Sequence, residues 1–165
     1  MKLIYLHGLE SKAGGIKVDW LRKQGHEVYA PEMDYHNPMM FQNIWTWIKQ
    51  HNPDYIIGSS MGGYFAYLMG TRSNIPCILL NPALHSRAFE PVIKNPGALF
   101  PRLHVLLGTK DDIIDPIVTM DQLQTEYHTR PHMLHFTVAG HGHRTPYKTF
   151  KKVINNIFTH EKERA

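Results

Sequence analysis

The stretch Tyr55-Ile56-Ile57-Gly58-Ser59-Ser60-Met61-Gly62-Gly63-Tyr64-Phe65-Ala66 decides the fold. An apolar run of strand length leads straight into G-x-S-x-G, and an apolar helical pattern starts directly behind it. A serine held between such glycines, here Ser60, occupies a tight strand-to-helix turn. The flanking positions must be glycine because a Cβ there would keep strand and helix apart. Ser59 is out of register, since Ile57 and Met61 would then flank it. A glycine-rich phosphate cradle at a helix N-terminus uses similar residues. No Walker-type lysine follows, which argues against that use.

Outward from this motif, short apolar runs at residues 3–6, 27–30, 55–58, 77–80, 104–107 and 135–138 alternate with helical patterns at 16–23, 39–51, 61–71, 116–127 and 146–160. Most of the runs are continuously apolar, as strands covered on both faces are. The alternation predicts an α/β protein: a three-layer α/β/α sandwich on a mostly parallel sheet of about six strands. Phe41, Ile44, Trp45 and Ile48 form one helical face, and Phe150, Val153, Ile154, Ile157 and Phe158 form another. Asn37 and Asp115 each precede a proline and are expected N-caps, with Gly25 a C-cap. The one long irregular piece, residues 82–101, holds four prolines and at most a short helix near 84–90.

The length of 165 residues predicts one domain, 1–165. With 42% hydrophobic and 19% charged residues the chain is excluded from the disordered class. Cys77 is the only cysteine, so no intramolecular disulfide or paired-cysteine metal site forms, and its apolar setting predicts a buried structural thiol. The apolar run at the N-terminus is too short for a signal-peptide core, and no run of 18 apolar residues occurs. A soluble, cytoplasmic protein without a membrane partner is expected. The sequence pI of 9.2 suggests nucleic acid at first sight. Yet residues 144–165 carry six basic and two acidic side chains, the whole of the +4 net charge. A basic face interleaved with aromatics is absent, so no nucleic-acid partner is expected; a solvated helix face is.

A serine nucleophile needs a base and an acid that orients it. Behind the run at 104–107 comes Gly108-Thr109-Lys110-Asp111-Asp112, and behind the run at 135–138 comes Gly140-His141-Gly142-His143. Asp111 and Asp112 compete as the acid, and His141 and His143 as the base. Asp115 is the N-cap. The oxyanion donors expected are the backbone N–H groups of Met61 and of Leu9, in the loop Leu6-His7-Gly8-Leu9. His7 is read as a packing residue of that loop.

Together with Leu3-Ile4-Tyr5-Leu6-His7-Gly8, Leu80-Asn81-Pro82-Ala83 and Asp111-Asp112-Ile113-Ile114-Asp115, these motifs resemble the α/β-hydrolase superfamily, and within it the compact bacterial YqiA-like esterases. The resemblance spans about residues 3–143. It implies a minimal α/β-hydrolase fold without a large cap, and a serine esterase with Ser60 as nucleophile, Asp111 as acid and His143 as base. Neither cofactor nor metal is expected. Asn81-Pro82 is implied to be a family feature that shapes the pocket wall. Lys110 beside the acid departs from the branch, which has something smaller there. So short a connection at 82–101 predicts an open, shallow site that takes a small acyl ester; Phe89, Leu99 and Phe100 read equally as wall residues and as anchors of the loop in the core. Competing readings are a catalytically silent binding module of the same fold, a metal hydrolase built on His141, His143, Asp111 and Asp112, and a thioesterase, peptidase or perhydrolase using the same triad. Trp20, Trp45 and Trp47 suit a core and a dimer interface equally, so the sequence does not fix the oligomeric state.

Overall fold

The computed structural model describes residues 1–93 and 97–164, apart from the side chains at 162 and 164. Six strands form one sheet: β1 (Lys2–Leu6), β2 (Glu27–Tyr29), β3 (Tyr55–Ser59), β4 (Cys77–Leu80), β5 (Leu103–Gly108) and β6 (Leu134–Ala139). Their order is β2-β1-β3-β4-β5-β6, and every neighbouring pair is parallel. The helices are α1 (Ile16–Lys23), α2 (Met40–His51), α3 (Met61–Ser73), α4 (Pro116–Glu126) and α5 (Tyr147–Arg164).

Side chains that alternate along the strands separate into two cores, as a period of two requires. Leu3 and Tyr5 of β1, Ile57 of β3 and Ile78 of β4 meet α1 and α5, including Trp20, Phe150 and Ile154. Ile4 and Leu6, Ile56, Leu79 and Val105 face the other way, onto α2, α3 and α4. Each fully buried aliphatic side chain contributes about 1.5–3 kcal/mol of transfer free energy. The sandwich predicted from the sequence is therefore present. The edge strands are weaker: β2 buries one residue of three, and Val138 of β6 is 51% exposed.

From β1 the chain runs outward to β2, crosses back to β3, and then builds in the opposite direction. Loops leaving β1 and β3 diverge at this switch point, which opens a crevice at the C-terminal strand ends. The crossover into α3 is held very close. A Cβ on Gly62 would overlap the Leu6 carbonyl oxygen and lie 2.6 Å from that of His7, and one on Gly58 would lie 2.8 Å from the Ala66 Cβ.

Two local expectations need correction, and one pair of alternatives separates. Asn37 does not cap α2: its side chain accepts a hydrogen bond from the Met39 N–H at 2.9 Å in a preceding turn, and the helix begins at Met40. Residues 84–90 form bends instead of a short helix. The Leu84 carbonyl is taken by the Arg87 guanidinium three residues on and Glu90 by the Tyr64 hydroxyl of α3, so side-chain contacts replace the helical backbone ones. Leu99 and Phe100 are anchors of the loop: the Leu99 N–H bonds to the Thr71 carbonyl at 3.0 Å and Phe100 packs edge-on against Tyr127. Residues 94–96 of the irregular piece lie outside the described residues.

Cys77 is fully buried, and burial pushes its thiol well above the usual range, as a structural thiol requires. Asp115 caps α4 as expected, accepting from Ile117 N–H at 2.8 Å and Val118 N–H at 3.4 Å. Two substitutions should separate these contributions in urea unfolding. Asp115→Ala should lower stability by about 1 kcal/mol. Gly62→Ala should cost at least about 3 kcal/mol, since only backbone could move aside. A Gly62→Ala protein as stable as the parent would contradict the packing described.

Candidate active site

Ser60 lies between the end of β3 and the start of α3 with φ 55° and ψ −117°, in the left-handed half of the map where a non-glycine residue is strained by about 1–3 kcal/mol. The surroundings impose that conformation. Its N–H donates to the Leu80 carbonyl at 2.9 Å, and its own carbonyl accepts from Tyr64 N–H at 3.1 Å and Ala83 N–H at 3.0 Å.

The Ser60 Oγ stands 2.8 Å from His143 Nε2, and His143 Nδ1 stands 2.8 Å from Asp111 Oδ2. A carboxylate can only accept, so Nδ1 carries the proton and Nε2 is left as an acceptor for the serine O–H. The Asp111 side chain is 1% exposed. Its second oxygen accepts from Ile113 N–H at 3.0 Å and Ile114 N–H at 2.9 Å, so both oxygens of the buried carboxylate are satisfied.

The two rival assignments separate cleanly. Asp112 is exposed. His141 is buried and turns its Nδ1 to the Gly142 carbonyl at 2.7 Å. Asp111 and His143 are thus the pair that meets Ser60. The set His141, His143, Asp111 and Asp112 does not assemble as metal ligands: among the described residues no three such side chains come together. Lys110, the departure from the expected pattern, points into solvent.

The β1 loop comes directly against the serine. A Cβ on Gly8 would lie 3.3 Å from Ser60 Cβ and 3.9 Å from its Oγ. Leu9 follows, 46% exposed, at the rim. His7 is buried; its Nε2 accepts from Met33 N–H at 2.9 Å, and its Nδ1 faces the Gly8 carbonyl at 2.7 Å. That leaves Nε2 without a proton for the exposed Glu32 carboxylate 3.1 Å away, and His7 packs the loop as expected. The Tyr35 hydroxyl donates to the His7 carbonyl.

Asn81 is the residue whose part the motifs did not disclose. It is 1% exposed, adopts φ 43°, and its side chain bonds to Gly108 N–H and to the carbonyls of Gly142 and His143. The resemblance implied a part for Asn81-Pro82 in the pocket wall; Asn81 instead ties the loops after β5 and β6 together.

A cavity of about 190 Å³ lies between Tyr35, Phe41, Phe65 and Phe89, with Glu90 at its edge. Of the three candidate wall residues only Phe89 lines it. Over the neighbouring first turn of α3, Tyr64 donates to Glu90 at 2.7 Å and carries the Arg87 guanidinium above its ring. Burial first, and Glu90 second, push the Tyr64 hydroxyl up to about 12, so it stays a donor at neutral pH.

Comparison with known proteins follows the geometry. No curated protein sequence matches the chain. Among solved structures it is similar to a Xanthomonas campestris protein provisionally assigned to the alpha/beta hydrolases, at 15% identity and TM-score 0.71, covering 96% of this chain and 98% of that one. It is similar to a Pyrococcus furiosus esterase at 14% identity and TM-score 0.68, covering 97% and 78%. It is similar to the S-formylglutathione hydrolase of Staphylococcus aureus at 14% identity and TM-score 0.64, covering 95% and 82%. At such identities the likeness is one of fold, and the fold is that of the α/β-hydrolases. The model of the uncharacterised protein family UPF0227 matches residues 2–96, more than half of the sequence, and the chain belongs to that family, the YqiA-like family to which its motifs pointed.

Proposed function

We propose that the protein is a serine hydrolase of the esterase type, cleaving small acyl esters through an acyl-enzyme on Ser60. The observation that carries this reading is the unbroken relay from Ser60 Oγ through His143 to a buried, fully hydrogen-bonded Asp111. Hydrolases and esterases of the same fold support it.

Acylation begins when His143 Nε2 takes the Ser60 proton and Oγ bonds to the ester carbonyl carbon. Negative charge moves onto the carbonyl oxygen, held by the N–H groups of Met61 and Leu9. Asp111 keeps the proton on Nδ1 and stabilises the imidazolium. The tetrahedral intermediate then collapses: the carbon–oxygen bond to the alcohol breaks and Nε2–H protonates the leaving oxygen. In the second half His143 takes a proton from water, the hydroxyl attacks the acyl carbon, and Ser60 recovers its proton as the acid leaves.

A small substrate fits the connection between β4 and β5, which has no helix among its described residues to serve as a cap. The cavity of about 190 Å³ between Tyr35, Phe41, Phe65 and Phe89, whose Tyr35 hydroxyl donates to the His7 carbonyl of the β1 loop, offers room for a short acyl chain.

A panel of p-nitrophenyl esters of rising chain length tests both points. Turnover should be highest for the shortest acyl groups and fall by about 10⁶ in Ser60→Ala. A variant that keeps a tenth of the parent's activity would remove Ser60 from the chemistry. The acid can be assigned separately: Asp111→Asn should lower kcat by about 10⁴, whereas Asp112→Asn should stay within about twofold. Equal losses in the two variants would sink the assignment.

A further inference from the structure

We infer that Asn81 is a positioning residue that fixes the His143 loop against the acid loop and the nucleophile; this rests on the serine-hydrolase reading above. Asn81 lies in a four-residue stretch that touches the nucleophile, the acid loop and the base loop. Leu80 carbonyl and Ala83 N–H take the two backbone groups of Ser60 at 2.9 and 3.0 Å. The Asn81 side chain then reaches the other two strands. Its Oδ1 accepts from Gly108 N–H at 2.8 Å, where β5 ends and the acid loop begins. Its Nδ2 donates to the carbonyl of His143 itself at 2.6 Å and to that of Gly142 at 3.3 Å.

The partners dictate the orientation of the amide, because an N–H can only donate and a carbonyl only accept. Asparagine also suits the backbone, being among the few non-glycine residues at home at φ 43°. No other side chain of that shape offers one acceptor and two donors. The bond from Lys110 N–H to the His141 carbonyl at 3.0 Å gives the base loop a second tether. Loss of Asn81 should therefore displace the imidazole without releasing the loop. A displacement near 1 Å can cost about 10²-fold in rate.

Two variants test this. Asn81→Gly keeps the left-handed backbone and deletes the three side-chain bonds. Among proteins that fold with an unchanged circular-dichroism spectrum, kcat should fall about 10- to 100-fold with KM within about threefold. Asn81→Asp is isosteric. Only its protonated form can donate to the His143 carbonyl while accepting from Gly108, and burial beside two carbonyls raises its pKa. The kcat of Asn81→Asp relative to the parent should therefore be highest at acid pH and fall as pH rises. A purely structural asparagine would lower melting temperature and leave that ratio flat. A folded Asn81→Gly with kcat within twofold of the parent, or a ratio independent of pH, would overturn the inference. One measurement is independent of ester cleavage. The low-field proton resonance of the His143–Asp111 hydrogen bond, assigned by its loss in His143→Ala, should broaden or vanish in Asn81→Gly. Its persistence unchanged would overturn the positioning role. An inactive parent protein would instead count against the hydrolase reading alone.

Discussion

Space for a single hydrogen atom, where any other residue would carry a Cβ, holds this site together. Gly62 sits so close to the end of β1 that the Leu6 and His7 carbonyls leave no room for a methyl group, and Gly58 is equally tight against α3. Helix α3 can therefore start one residue after β3 ends, and Ser60 must make the reversal alone. The positive φ follows from that geometry. Strain of this kind persists only where its surroundings over-determine it. Here two backbone hydrogen bonds to the β4 loop and one within the helix do so.

Parallel strand order supplies the rest. Because β1, β3, β5 and β6 all point the same way, their C-terminal ends deliver Gly8, Ser60, Asp111 and His143 to one rim. Burying a carboxylate there would be costly if its oxygens were bare. The turn after β5 satisfies one oxygen with two backbone N–H groups and leaves the other for the imidazole. The result is an imidazole of defined tautomer in contact with a hydroxyl that the backbone lifts out of the sheet.

Much of this was legible in the sequence, for physical reasons. Strand runs buried on both faces and helices with one apolar stripe leave periodicities that survive without coordinates. G-x-S-x-G is readable because steric exclusion demands glycine at both flanks, Gly58 against the nearby Gly62 and Ala66 and Gly62 against the end of β1. The residues alone left Asp111 and Asp112 open, since adjacent residues differ only in the direction the turn aims them; only the family resemblance pointed to Asp111. The same holds for His141, which is buried yet bonds to its own loop. Asn81 was hardest of all: its partners are backbone groups 27, 61 and 62 residues away, which leave no residue-type signature. The bends at 84–90 were missed because side chains shape them: Arg87 takes the Leu84 carbonyl within the segment, and Tyr64 reaches Glu90 from 26 residues away.

The central claim is that Ser60 is activated by His143 in the folded protein. Intact-mass analysis after exposure to a fluorophosphonate reads this directly, since that reagent phosphonylates an activated serine. The account predicts one adduct per chain, located on Ser60 and absent in His143→Ala. A folded protein that gains no adduct, or gains one elsewhere, would contradict it.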